Sequence, residues 1–179
     1  GIGNVLAKSG VDPEDILALC LDAATHTAFI MDKDFNVLMP SIYWTDIRSI
    51  EEVKYLRENY GDLIFSQVLH NVDTIWTLPQ LLWIKNNRPE IWSRVGKILF
   101  AKDYVRHQLT GDYLTDNIEA EGSMLFDYNR QCWSKELCDI LGLDPAPLPA
   151  IAKPMDIIGS ITPEAAKAVG LSANTKVLC

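Results

Sequence analysis

The 179-residue sequence predicts an α/β domain, on three observations. Short apolar runs bounded by turn residues open the chain, between residues 16 and 44. A block with three- and four-residue hydrophobic spacing follows, from 49 to 141. Strand-like segments return at 157–161 and 175–179. Strands, then helices, then strands again describe a layered α/β or α+β arrangement, and 48% hydrophobic residues suffice for its core.

The elements follow in order. Residues 1–10 read as the end of a helix stopped by Gly10, and Asp12-Pro13-Glu14-Asp15 as a turn. The run 16–24 (ILALCLDAA) is long enough for a buried strand. Residues 27–31 continue as strand, Asp32-Lys33-Asp34 turns the chain into 35–39, and Pro40 falls at a strand end. Residues 41–44 make a further extended, aromatic-rich stretch. Ser49 caps a helix with Glu51 and Glu52 in its first turn, and Gly61 ends it. Thr77 caps the next, with Pro79 in the first turn and Leu78, Leu81 and Leu82 on one face. Asn86-Asn87-Arg88-Pro89 breaks that helix, and a short one restarts through Trp92. Residues 97–101 read as an extended link, and 102–109 as a helix stopped by Thr110-Gly111. Ser134 caps a helix over 134–141 that Gly142 terminates, and 144–149 (DPAPLP) must be loop. Thr162-Pro163-Glu164 opens a helix over 165–169 closed by Gly170. Trp76, Trp83 and Trp92 read as packing residues.

Charge and composition remove several function classes. Sixteen basic against 24 acidic residues leave −8, with no Lys/Arg run, which argues against nucleic acid and anionic membranes. No apolar run approaches the ~20 residues that span a bilayer, and the first residues lack the pattern of a secretory signal. Cys20, Cys132, Cys138 and Cys179 form no C-x-x-C pair and are expected as reduced, buried thiols of a cytoplasmic protein. His26, His70 and His107 lie far apart, without zinc-ligand spacing, so no metal site is expected. Glycine-rich phosphate loops and the G-x-S-x-G elbow are both missing from the sequence.

Three groups remain that could carry chemistry. Asp116, Glu119 and Glu121 form an acidic cluster after the Gly111 turn. Its spacing fits a general base tuned by its neighbours, and it fits equally a helix cap, the simpler reading. Asp46 and Arg48 follow the extended stretch; on a strand they and Trp44 would point one way, as a polar edge beside an apolar wall or a surface ion pair. Thr25-His26-Thr27 follows an apolar run, a common position for ligand contacts in α/β folds.

Five segments together resemble the FGGY carbohydrate kinases, in unbroken order from about Val11 to Cys179. Residues 16–32 resemble the strand and turn that carry Gly-Gln-Met-His-Gly in xylulose-type members; only His26 survives here. SIYWTDIR resembles Trp-Asn-Asp-x-Arg, TLPQLLW the Thr-x-Pro-Lys-Leu-Leu-Trp helix, and FAKDYVRHQLTG the Lys-Asp-Tyr-x-x-x-x-Leu-Thr-Gly signature. Residues 115–127 resemble Thr-Asp-x-x-x-Ala-x-x-x-x-Leu-Phe-Asp, with Glu119 and Glu121 where many members carry small or neutral residues. The wording is closest to members acting on ketopentoses and keto-sugar acids.

The resemblance implies an actin-like, ribonuclease-H-type domain, incomplete here: residues 1–179 as part of the sugar-binding domain, without the first phosphate-binding strand or the nucleotide domain. It implies that Asp116 is the base accepting a sugar hydroxyl proton as that oxygen attacks the γ-phosphorus of MgATP. His26 would bind the sugar, with Thr25 and Asn117 as further contacts and Asp46 and Arg48 supporting the pocket wall. ATP and Mg2+ would be cofactors of the full-length protein, with no cofactor-binding residue in this segment, which alone is not expected to turn over. The expected partner is a small sugar, with a homodimer as an option. A non-catalytic scaffold on the same fold, or a hydrolase using Asp116 and Glu119, are the alternative classes.

Overall fold

The computed structural model describes residues 1–144 and 147–179. The chain runs through helix α1 (Ile2–Ser9), strands β1 (Ala18–Leu19) and β2 (Ala28–Met31), helices α2 (Ile50–Val68), α3 (Thr77–Asn87) and α4 (Pro89–Trp92), strand β3 (Lys97–Phe100) and helix α5 (Ala101–Thr110). It continues with strand β4 (Leu114–Asp116), helix α6 (Asn117–Gly122), strands β5 (Phe126–Asp127) and β6 (Cys132–Trp133), and helix α7 (Lys135–Leu141). Strands β7 (Ala150–Ala152) and β8 (Ile157–Ser160), helix α8 (Pro163–Val169) and strand β9 (Lys176–Leu178) complete it.

The strands pair as short ladders of both senses. β1 runs parallel to β9, which runs antiparallel to β8. β2 and β3 pair antiparallel, with Ala28 opposite Phe100, and β4 and β7 pair parallel, with Asp116 opposite Ala152. The result is the mixed α/β domain that the sequence predicts. Its main core gathers Ile30, Leu56, Ile64, Leu78, Ile98 and Phe100 from the helical block and the β2–β3 ladder. Trp76, Trp83 and Trp92 pack on its margin, as expected of packing residues. A smaller cluster around Ile161, Ala166 and Val177 joins the two chain ends through Ile2, Leu6 and Leu19.

Several boundaries differ from expectation. The helix expected to stop at Gly61 continues to Val68, and Leu69 ends it in the left-handed region at φ 64°. A glycine inside a helix costs about 1 kcal/mol, whereas each large aliphatic side chain fully buried contributes about 1.5–3 kcal/mol. Burying Ile64 and Val68 below it therefore decides the outcome. The run 16–24 forms only the two-residue β1, and Leu17 is exposed. Cys20 and Cys132 are exposed rather than buried, while Cys138 and Cys179 are buried, all four as free thiols. The stretch 41–44 is not a strand: Asp46 N–H turns back to the Tyr43 carbonyl at 2.9 Å. Two residues of the expected 144–149 loop, 145 and 146, lie outside the described residues.

Candidate functional site

The turn between β1 and β2 is built around His26. Its backbone sits in the left-handed region at φ 45°, a conformation histidine visits more readily than most residues. Both sides of its peptide unit are held. The His26 N–H donates to Glu119 Oε2 at 2.7 Å, and its carbonyl accepts from the Thr77 hydroxyl at 2.7 Å. The ring lies 4.8 Å from the Trp76 ring on one side. On the other it meets Gly122, where an added Cβ would fall 2.6 Å from His26 Cδ2. The ring therefore needs the bare glycine that ends α6.

Ala24, Thr25, His26, Trp44 and Ile75 line a cavity of about 260 Å³. His26 Nδ1 is buried without a hydrogen-bond partner. Burial holds the ring's pKa below its ordinary value; the Ile75 carbonyl opposes that shift and His70 adds to it. A neutral imidazole offers one donor and one acceptor, which matches a hydroxyl that does both. Trp44, about half exposed, contributes an apolar face beside it.

Asp116 lies beneath this turn, at the end of β4 and the start of α6. It is 4% exposed and caps α6: Oδ1 accepts the Glu119 N–H at 2.9 Å. Oδ2 pairs with Lys102 Nζ at 2.6 Å, and the same ammonium reaches Asp103 Oδ1 at 3.0 Å. Arg106, one turn further along α5, meets Asp103 Oδ1 at 3.0 Å and donates to the Leu114 carbonyl. Two carboxylates and two cations thus alternate through the interior and tie α5 to β4. Burial works against the Lys102 ammonium, but Asp103 and Asp116 outweigh it and its pKa is raised. Glu119, 1% exposed, has the most perturbed carboxyl. Burial pushes it up to about 7, against the pull of the His26 N–H and Lys102, and Asp103 and Asp116 push the same way as burial.

The remaining sequence candidates stand apart from this cavity. Asn117 lines a second one, of about 480 Å³, with Gln131, Ile151, Ala152, Lys153 and Pro154 beside the ends of β4 and β7. Arg48 Nε and Nη2 form a two-pronged ion pair with Asp46 Oδ2 at 2.9 and 2.7 Å, and the guanidinium lies 4.9 Å over the Trp83 ring. The pair is partly exposed and braces the segment after Trp44. The contacts of the His26–Asp116 network run through Glu119 and Lys102, not Glu121. Among the described residues no group of three or more His, Cys, Asp or Glu side chains is placed to hold a metal ion. No described helix is long and apolar enough to cross a membrane.

The family model for the N-terminal domain of the FGGY family of carbohydrate kinases matches residues 1–179. The chain belongs to that family. It is 30% identical over 176 residues to a xylulose kinase of Bacillus subtilis, covering 98% of this chain and 35% of the relative. It is 31% identical over 183 residues to a probable L-xylulose kinase of Pasteurella multocida, covering 99% of this chain and 37% of the relative. The FGGY segment therefore spans about a third of these relatives' length. A gluconate kinase structure from Lactobacillus acidophilus superposes with a TM-score of 0.91 at 27% identity, over 99% of this chain and 36% of that one. A ligand-bound xylulose kinase from the same organism gives 0.89 at 27% identity, over the same 99% and 36%.

Within this FGGY domain, sequence reasoning missed Lys102 and the link from Glu119 to His26. Lys102 and Asp116 lie in consecutive elements, but their contact depends on how α5 packs against β4, which no helix or strand spacing reveals. Glu119 meets His26 across 93 positions, so no local spacing could reveal it.

Proposed function

We propose that this chain supplies the sugar-binding half of an ATP-dependent carbohydrate kinase, with the Thr25–His26 turn and Trp44 as the sugar site. The observation that carries this is the buried, unpartnered Nδ1 of a neutral histidine on the wall of a small cavity with one aromatic face. A hydroxyl-rich ligand of ketopentose or sugar-acid size suits it, since the unpartnered ring nitrogen of His26 can accept from one hydroxyl while Trp44 covers the C–H face. The xylulose and gluconate kinases among the relatives favour that class. We place Asn117 as a further sugar contact, at the second cavity, and Asp46–Arg48 as support for Trp44.

The resemblance assigns the proton-accepting role to Asp116. Its geometry favours positioning instead. Both carboxylate oxygens are already engaged, and a sugar hydroxyl would have to displace Lys102 to reach Oδ2. A general base must come within hydrogen-bond reach of the proton it takes. ATP, when bound, supplies the phosphoryl group. Lys102 is committed to two carboxylates and is not free to meet its phosphates. This chain's part is to bind the sugar, orient it and keep the acidic network fixed beneath it.

The test is ADP release by the full-length protein across ketoses, polyols and sugar acids, with His26→Ala and Asp116→Asn alongside. The expected result is ADP release with a ketose or sugar acid, and a raised KM for His26→Ala. Asp116→Asn should lose stability while keeping kcat within about tenfold, short of the roughly 10²–10⁴-fold loss of a general base. No ADP release with any of them overturns the kinase reading. A loss of about 10³ in kcat with stability unchanged returns Asp116 to the role of base.

A further inference from the structure

The mechanism above leaves one buried acid without a task. Glu119 is 1% exposed, and its Oε1 has no hydrogen-bond partner. An ionised carboxyl in that position costs stability rather than adding it, so packing alone does not account for it. Its one strong side-chain contact is directional: Oε2 receives the His26 N–H at 2.7 Å.

We infer that Glu119 is a positioning residue for sugar binding, holding the left-handed His26 turn so that the imidazole faces the cavity. The inference rests on the reading of that cavity as the sugar site. A non-glycine residue at φ 45° is strained and persists only where its surroundings over-determine it. Here the N–H is held by Glu119, the carbonyl by Thr77, and the ring by Trp76 and Gly122. Glu119 is itself anchored, because Asp116 accepts its N–H and Lys102 pins Asp116. An unbroken chain of contacts thus runs from α5 through the N-cap of α6 to the wall of the cavity.

This arrangement makes the turn sensitive to protonation. Lys102 from α5 favours the carboxylate; Asp103 from α5 and Asp116 at the helix cap oppose it. From the turn side come His26 itself, neutral, and His70 across Trp76. The balance leaves Glu119 titrating at about 7. The ionised form accepts the His26 N–H more strongly than the acid does. The turn is therefore held more firmly as pH rises through that value, and sugar affinity rises with it.

Histidine-selective backbone 15N labelling of the full-length protein reads this directly, with the His26 peak assigned by its loss in His26→Gln. The wild-type His26 amide should shift with a midpoint near the Glu119 value of about 7, and Glu119→Gln should abolish the titration. Glu119→Gln should also raise KM for xylulose about tenfold with little change in kcat, the scale of one charge-assisted hydrogen bond. An amide that ignores pH in this range overturns the inference, and so does one that titrates unchanged in Glu119→Gln. The His26 ring titrates as well, so where Glu119→Gln fails to fold, Glu119→Asp, an acid one methylene shorter than the one that reaches the His26 N–H, takes its place and should likewise remove the shift. If the amide follows Glu119 but His26→Ala leaves KM unchanged, the sugar reading of the cavity fails and the clamp on the turn stands.

Discussion

Gly122→Ala isolates the packing that shapes the site. Gly122 is a helical residue outside the left-handed region, so its backbone accepts alanine without strain. In open space the exchange stabilises a helix by about 0.5–1 kcal/mol. Here the new Cβ would fall 2.6 Å from His26 Cδ2, 3.2 Å from Cγ and 3.3 Å from the His26 Cβ. Ordinary carbon contacts lie near 3.5–4.0 Å, so the ring must retreat by about 1 Å. Retreat is hindered, because Trp76 is 4.8 Å away and Glu119 and Thr77 hold the backbone. Overpacking of this kind costs about 1–3 kcal/mol, more than the helix gains, so we expect a net loss of about 1 kcal/mol. The functional effect should be larger, since misplacing a positioned group by about 1 Å can cost 10²-fold. Urea unfolding gives the first quantity, and KM and kcat/KM for the preferred sugar give the second. A variant as stable as wild type with an unchanged KM would refute both the packing and the role of the ring.

Lys102→Met tests the buried ion network: it leaves Asp116 Oδ2 and Asp103 Oδ1 without their ammonium, and breaking such a pair should destabilise by about 3–5 kcal/mol. A thermal or urea midpoint equivalent to less than about 1 kcal/mol would show that the charges are solvated rather than interior. Glu119 predicts a slope of stability against pH. Its folded pKa of about 7 lies above the ordinary 4.5, so its contribution is complete below 4.5 and is lost as pH rises through about 7. The span of the two values amounts to about 3 kcal/mol, and Glu119→Gln should flatten the fall in stability seen by urea unfolding between about pH 4.5 and 7.

The fold was legible wherever a local signal carries a physical cause. Ser134 and Thr162 cap their helices through side-chain oxygens, and Gly10, Gly111, Gly142 and Gly170 all end helices with positive φ, as read from the sequence. Gly61 carried the same signal and failed, because burial of the residues after it outweighs the local preference. The two-residue β1 and the turn at 41–46 failed for a related reason: an apolar run shows that a segment is buried or paired somewhere, not which partner its backbone meets. The site divides the same way. Asp116 as a helix cap follows from local spacing, and the structure has it capping α6. What gives the cap its consequence is long-range. Lys102 occupies the carboxylate oxygen that a substrate would need, while Glu119, whose amide Asp116 fixes, reaches back to the His26 turn. The cluster of acids after the Gly111 turn is therefore two roles in series. One carboxylate is paired in an interior ion network and sets the helix, and the other, its pKa pushed up by burial, carries that helix's position to the wall of the cavity.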